Sequence, residues 1–183
     1  MTRLPIQSIE SAPDAARPLL ESVQRALGKV PNMAGAMANS PAVLASWVQF
    51  NAALGSGELP APIRERIALL TAEANDCAYC LSAHAALGRM AGLSAADIDA
   101  ARDAHASDAE ANAALAFARR LLETRGGIDA ADIDRVRNAG FTDAQIAEVV
   151  GAVALNAFTN FFNRAFDVEI DFPRVEPRAC PIA

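Results

Sequence analysis

Residues 63–90 read IRERIALLTAEANDCAYCLSAHAALGRM, and this stretch decides how the rest of the chain is interpreted. Its apolar side chains recur at helical spacing on both sides of a polar interruption at Asn75 and Asp76. If that interruption ends the first helix, Cys77 opens the next one. The stretch therefore predicts a helical protein with two cysteines and a histidine close to a helix start.

Sequence on either side of this stretch is helical as well. Ser94 and Thr142 each begin a capping-box pattern, as does Ser107, and Gly28, Gly140 and the Gly126–Gly127 pair mark helix ends. Helices are expected at residues 14–27, 41–54, 95 onward, from the Ser107 cap to Gly126–Gly127, at 130–138 and at 146–166. No alternating apolar and polar run of strand length stands out. We therefore predict an all-α fold.

Composition agrees with one helical domain. The 183 residues include 43 alanines, the residue with the best helix propensity, and 52% of the chain is hydrophobic. We expect an N-terminal arm and first helix at 1–40, a helical domain with the cysteine pair at 41–170, and an extended tail at 171–183. These segments form a single multihelical domain.

Charge and hydropathy exclude several classes of partner. The net charge is −6, and 15 of the 16 basic residues are arginines without a basic cluster, so neither nucleic acid nor an anionic membrane surface is an expected partner. No apolar run is long enough to cross a membrane, and the N-terminus has no signal-peptide core. We expect a cytoplasmic protein, in which Cys77, Cys80 and Cys180 are not a structural disulfide framework.

Four reactive side chains cluster within twelve residues. Glu73, Cys77, Cys80 and His84 lie at offsets of 0, 4, 7 and 11, which on a continuous helix fall within roughly 60° of one another. A zinc site with Glu73 or His105 as fourth ligand is one interpretation. Small cysteines filling an alanine-rich core are another. A c-type haem site is excluded because histidine does not follow the second cysteine directly, and a thioredoxin-type site requires a preceding strand.

A redox-active dithiol accounts for more of this pattern. A reactive thiol needs a lowered pKa or a neighbouring base, and His84 is one helical turn after Cys80. A helix start would favour the thiolate of Cys77. Attack on a peroxide would give a sulfenic acid, which the second thiol converts into a disulfide.

The spacing E-x11-C-x2-C-x3-H, formed by Glu65, Cys77, Cys80 and His84, resembles the signature of the AhpD-like alkyl hydroperoxidases in the carboxymuconolactone decarboxylase superfamily. Residues 63–88 are similar to the branch called peroxidase-related enzymes. The flanking segments KVPNMAGAMANSPAVLASW and GFTDAQIAEVVGAVALNAFTNFFNRAF resemble it too, so the similarity extends over residues 28–173.

This resemblance implies a role for each matching residue. Cys80 matches the cysteine that attacks peroxide and Cys77 the resolving cysteine, while His84 and Glu65 match a proton relay. Tyr79 stands where the family's well-studied peroxidase has a second histidine. The resemblance further implies an AhpD-like fold, a hydroperoxide substrate, an external thiol reductant with neither cofactor nor metal, and a homo-oligomer that is a trimer or hexamer.

The identity of the acid in the site stays open at this level. Glu65 lies about 18 Å from Cys77 along a straight helix, so it reaches the site only through a bend at Asn75–Asp76 or from another subunit. Glu73 is the closer carboxylate. The stripe of Asn156, Asn160 and Asn163 in an apolar helix is interpreted mainly as structural, His105 as a surface residue and Cys180 as a bystander.

Two other functions remain as alternatives. One is a lactone decarboxylase, although enzymes of that kind generally lack the cysteine pair. The other is a redox-sensing protein without useful turnover. We therefore expect a thiol-dependent alkyl hydroperoxidase that acts in antioxidant defence.

Overall fold

The computed structural model describes residues 2–178, and within them all regular secondary structure is α-helical. Nine helices follow one another along this part of the chain: α1 (Arg17–Leu27), α2 (Asn32–Met37), α3 (Pro41–Gly55), α4 (Ala61–Ala74), α5 (Ala78–Met90), α6 (Ala95–Arg102), α7 (Ala109–Thr124), α8 (Ala130–Asn138) and α9 (Asp143–Phe166). The predicted all-α fold class is confirmed.

Side-chain caps define most helix starts. Ser94 and Thr142 form the expected capping boxes at α6 and α9, and Ser40 caps α3. The prediction at α7 was wrong by one residue, because Asp108 rather than Ser107 accepts from the backbone N–H of Ala111. An aspartate is as good an N-cap as a serine, so the adjacent pair was ambiguous.

Helix α2 was missed in the sequence. It has only six residues and follows Pro31, whose extended backbone separates it from α1. Gly35 in this helix accepts a hydrogen bond from the Gln7 backbone N–H through its carbonyl oxygen, and a Cβ at Gly35 would lie 2.7 Å from the Gln7 carbonyl oxygen. The glycine therefore lets the N-terminal arm lie directly against α2.

Helix α4 is the central element of the fold and packs against α5, α6, α7 and α9. Ile67, Leu69 and Leu70 are fully buried on different sides of it, which explains why its sequence shows no clear polar face. The side chains of α4 belong to one contiguous buried cluster that joins all nine helices. The cysteine pair immediately follows α4 and lies inside this core.

Residues 167–178 have no regular secondary structure, as expected for the tail, yet they pack against α5. The Phe172 ring meets the Tyr79 ring edge-on with centroids 5.8 Å apart, and the Val175 backbone N–H donates to the Ser82 hydroxyl. The tail thus follows the surface of α5 and is held there by these contacts. Cys180 lies outside the described residues.

None of the helices within residues 2–178 combines the length and the apolar character that a bilayer-spanning segment requires.

Candidate active site

A sharp change of direction separates α4 from α5 and creates the site. Asp76 adopts a left-handed backbone conformation with φ of 54°, and the Cys77 backbone N–H donates to the Ala72 carbonyl oxygen at 2.9 Å. Cys77 is then the N-cap of α5. The bend considered at Asn75–Asp76 is present, so the four-residue stripe of a continuous helix does not form.

The two cysteines are adjacent and buried. Their sulfur atoms lie 2.6 Å apart, and the Cys80 backbone N–H donates to the Cys77 sulfur at 3.3 Å. Only 1% of Cys77 and 2% of Cys80 is exposed. The first turn of α5 therefore holds the pair in a geometry from which a disulfide can close with little movement.

The environment shifts the pKa values of the two thiols in opposite directions. Burial raises the pKa of Cys80, but hydrogen bonds from Cys77 and Asn163 and the charge of His84 outweigh it and lower this pKa to about 7. The hydrogen bond to Cys80, and then burial, raise the pKa of Cys77. The helix start at Cys77 is thus outweighed, because the Cys77 thiol donates its proton to the Cys80 sulfur.

Two asparagines of α9 complete the surroundings of Cys80. The Asn163 side-chain amide donates to the Cys80 sulfur at 3.2 Å and also lies 3.2 Å from the Met33 sulfur. Asn160, one turn earlier on α9, is fully buried, and its proximity helps to lower the pKa of Cys80. The side-chain oxygen of Asn160 accepts a hydrogen bond from the side-chain amide of Asn75 at 3.0 Å. The Asn163 amide thus supplies an N–H donor for a thiolate inside an apolar core.

His84 and Glu65 meet across the α4–α5 bend. The His84 Nδ1 atom lies 2.8 Å from the Glu65 Oε2 atom. Burial lowers the pKa of His84, but the Glu65 carboxylate outweighs burial and the net pKa is raised. The structure thus brings Glu65 to the histidine, within the same chain.

Glu73, the alternative acid, is held elsewhere. Its carboxylate accepts from the Arg102 Nε at 2.6 Å and from the Arg178 backbone N–H at 2.6 Å. The Glu73 side chain is 7% exposed and the Arg102 side chain 11%, so this is a buried ion pair that fastens the tail to α4 and α6.

Tyr79 lies between the cysteines in sequence but points to the tail. Its hydroxyl donates to the Asp171 carboxylate at 2.8 Å and accepts from the Met33 backbone N–H at 3.1 Å. Burial, and then the negative charge of Asp171, raise its pKa, although the Met33 hydrogen bond opposes them. Tyr79 is therefore a neutral phenol whose hydroxyl is held by one donated and one accepted hydrogen bond.

A cavity of about 260 Å³ reaches Cys80. Glu65, His84 and Asn163 line it together with Cys80, and much of the remaining wall is apolar, including Met33, Trp47, Leu54, Leu87, Leu155 and Phe172. A small molecule with an apolar body and one reactive polar group fits such a wall.

Metal binding was considered for the same residues. Within residues 2–178, no group of three or more His, Cys, Asp and Glu side chains is arranged to hold a metal ion. His105, considered as a zinc ligand, is exposed in the α6–α7 connection.

The contribution of Asp171 was not foreseen, and for Asn163 a structural role was favoured over a role in lining the site. The asparagine spacing 156, 160 and 163 was visible, but sequence alone does not show that this face of α9 meets α5. Asp171 is 92 residues from Tyr79 and carries no local signal.

Residues 41–124 match the model of the carboxymuconolactone decarboxylase family. The resemblance to this superfamily is confirmed. No curated protein matches the chain by sequence.

Solved structures with the same fold cover almost the entire chain. A peroxidase-related protein from Ralstonia eutropha JMP134, described as an alkylhydroperoxidase AhpD core, is 25% identical, with a TM-score of 0.83 and coverage of 93% of this chain and 92% of that one. A peroxidase-related protein from Silicibacter sp. TM1040 is 27% identical, with a TM-score of 0.79 and coverage of 92% and 91%. The AhpD-like fold is thereby established.

A third similar structure is the debrominase Bmp8 in complex with 2,3,4-tribromopyrrole. It is 20% identical, with a TM-score of 0.77 and coverage of 93% of this chain and 92% of that one. At this identity the likeness concerns the fold alone. Family and fold together support a peroxidase-related or decarboxylase-like enzyme.

Proposed function

We propose that the protein is a thiol-dependent alkyl hydroperoxidase that works through a Cys77–Cys80 dithiol–disulfide cycle. One observation carries the proposal. The Cys80 sulfur lines a largely apolar cavity, accepts an N–H from Asn163, and has a second sulfur 2.6 Å away. A thiolate stabilised in this way, with a partner ready to close a disulfide, is suited to two-electron reduction of a peroxide.

The first step is attack by the Cys80 thiolate on the terminal oxygen of the hydroperoxide. The S–O bond forms as the O–O bond breaks, so Cys80 becomes a sulfenic acid and the alkoxide leaves. Protonated His84, which lines the same cavity and is paired with Glu65, gives the alkoxide a proton, so that an alcohol is released.

The second step closes the disulfide. The Cys77 thiol gives its proton to the now neutral His84, and its sulfur attacks the Cys80 sulfur. The hydroxyl group of the Cys80 sulfenic acid takes the proton from His84 and leaves as water. One hydroperoxide thus takes two electrons from the two thiols and gives an alcohol, water and a disulfide.

Glu65 and Tyr79 act through their neighbours in this scheme. The Glu65 carboxylate fixes the His84 ring and favours its protonated form, which is the form the first step needs. Tyr79 fixes the first turn of α5 through Asp171 and Met33. The electrons come from an external thiol or dithiol, and the scheme uses no metal or organic cofactor.

Self-association belongs to the same proposal. Only Leu44 of α3 is buried, although this helix is mostly apolar, and Phe50 and Val150 are exposed by 38% and 42% on the packed pair α3 and α9. Phe161 of α9 is exposed by 61%. Further copies of the chain, as a trimer or hexamer, would cover this apolar surface.

A count of free thiols tests the peroxidase proposal. In a Cys180→Ser background, one equivalent of cumene hydroperoxide should remove two thiols per chain. Cys80→Ser should abolish the fast reaction, whereas Cys77→Ser should lose only one thiol. Unchanged thiols after prolonged exposure would refute the proposal.

Steady-state turnover separates the two remaining alternatives. Continuous consumption of hydroperoxide with a recycling thiol is expected of the peroxidase, whereas a redox sensor would stop after one oxidation. A lactone decarboxylase would instead retain its activity when both cysteines are replaced by serine.

A further inference from the structure

The dithiol is reached from two sides. The cavity of about 260 Å³ described above, here called the substrate cavity, is lined by Cys80 and not by Cys77. A second pocket of about 530 Å³ is lined by Cys77 and not by Cys80. It lies where α5 begins and α9 ends, and Asp76, Arg164, Glu169 and Arg174 form part of its wall. We call it the polar pocket.

A fixed wall separates the two spaces. Tyr79 and Asn163 line both of them. The Tyr79 hydroxyl is held by the Asp171 carboxylate at 2.8 Å, and the Asn163 amide is held on the Cys80 and Met33 sulfurs at 3.2 Å. Because both side chains are tied on the inside of the fold, a molecule in one space does not pass directly into the other.

The chemistry of disulfide reduction distinguishes the two sulfurs. An incoming thiolate attacks one sulfur from the side opposite the other, and the sulfur that leaves more easily is the one whose thiol is more acidic. Asn163 donates to the Cys80 sulfur and so stabilises it as it leaves with negative charge. Attack on Cys77, away from Cys80, is therefore favoured, and it places the incoming thiol on the polar-pocket side.

We propose that the reductant of the Cys77–Cys80 disulfide enters through the polar pocket and attacks Cys77, whereas the hydroperoxide reaches Cys80 through the substrate cavity. This inference rests on the proposed dithiol cycle. The incoming thiolate forms a mixed disulfide with Cys77, and the electron pair of the broken bond remains on Cys80 as thiolate. A second thiolate then attacks the reductant's sulfur, releasing the Cys77 thiolate, which takes up a proton, and the oxidised reductant.

The burial of Cys77 restricts the kind of reductant. With 1% of the residue exposed, its sulfur does not lie on an open surface that a flat protein face could meet. A pocket of about 530 Å³ is in the range that holds small molecules. The reductant is thus a low-molecular-weight thiol, for which glutathione and 2-mercaptoethanol serve as probes.

The test measures the two half-reactions separately, on the full chain in a Cys180→Ser background. The disulfide is first made with diamide, so its reduction can be followed even if hydroperoxides prove not to be substrates. Glu169→Trp with Arg174→Trp should narrow the polar pocket through two exposed positions. Leu87→Trp should narrow the substrate cavity.

The expected results are opposite for the two variants. In the double variant with Glu169→Trp and Arg174→Trp, here called the polar-pocket variant, both probes should reduce the disulfide at least roughly tenfold more slowly. Its rate of oxidation by cumene hydroperoxide should be unchanged. Leu87→Trp should show the reverse. Slowed oxidation and unchanged reduction in the polar-pocket variant would overturn the inference.

Trapping the intermediate gives a second measurement that needs no pocket variant. The disulfide form of the protein is mixed with glutathione, the reaction is quenched with iodoacetamide, and the modified cysteines are identified by mass spectrometry. Glutathione on Cys77 with the alkyl group on Cys80 supports the inference, and glutathione on Cys80 contradicts it. Failure of oxidation by hydroperoxide, with these reduction results intact, would count against the proposed function alone.

Discussion

Replacement of Asn163 by leucine removes one N–H donor from the Cys80 sulfur and preserves the approximate size of the side chain. The donor lies 3.2 Å from the sulfur, and only 3% of Asn163 is exposed. A hydrogen bond to a charged group stabilises that group more than its neutral form. Asn163→Leu should therefore raise the pKa of Cys80.

The size of this effect follows from the pKa of about 7 for Cys80, against an ordinary 9.0. At about 1.4 kcal/mol per pH unit, the site favours the thiolate by about 3 kcal/mol. A hydrogen bond to a charged group contributes about 1.5 kcal/mol or more, so its loss should raise the pKa by about one unit, to roughly 8. The thiolate fraction at pH 7 should then fall about fivefold.

The pH dependence of alkylation by iodoacetamide measures this pKa. In a background with Cys77→Ser and Cys180→Ser, only Cys80 reacts, and its own midpoint provides the reference for the Asn163→Leu variant. Met33→Leu is the matched control, because it removes the other acceptor of the same amide and leaves Cys80 its donor. An unchanged midpoint in a folded Asn163→Leu protein would refute the role given to this hydrogen bond.

Four further predictions can be checked on single variants. Glu65→Gln should lower the pKa of His84 and reduce peroxide turnover by about a hundredfold, which steady-state kinetics would show; turnover equal to the wild type would contradict the relay. Glu73→Ala should leave peroxide chemistry intact but cost about 3 kcal/mol in urea unfolding, because Arg102 loses its buried partner. The oxidation rate of the intact chain should rise with pH through about 7, as Cys80 loses its proton, and a rate independent of pH in that range would argue against Cys80 as the attacking thiol. Gly35→Ala should destabilise the fold by about 1–3 kcal/mol, since its Cβ would lie 2.7 Å from the Gln7 carbonyl oxygen, and thermal unfolding without a shift would show that the arm simply moves away.

Local signals in the sequence were sufficient for most of the fold. Ser94 and Thr142 predict the starts of α6 and α9 because a capping side chain bonds the backbone only three residues away. The ends of α8 agree with the expected range 130–138. Helix α2 could not be predicted in this way, because its six residues are stabilised by contact with the N-terminal arm, which is a tertiary effect.

The candidate site was predictable where its residues are close in sequence. Cys80 and His84 lie in α5 and Cys77 caps it, and the E-x11-C-x2-C-x3-H spacing pointed to Glu65 even though helical geometry favoured Glu73. The relative acidity of the cysteines was not predictable, because it depends on Asn163 of α9, 83 residues away from Cys80. Likewise, the tail residue Asp171 reaches Tyr79 only through the folded chain.

The central claim is that the Cys80 sulfur is the nucleophile that attacks the peroxide, and trapping of its sulfenic acid tests this claim most directly. The Cys77→Ser, Cys180→Ser protein cannot close a disulfide within the chain, so the oxidised sulfur persists long enough to react with dimedone. After one equivalent of cumene hydroperoxide, mass spectrometry should find the dimedone adduct on Cys80, and the Asn163→Leu version should form it more slowly at pH 7. Absence of an adduct on Cys80, with the thiol still free, would contradict the account.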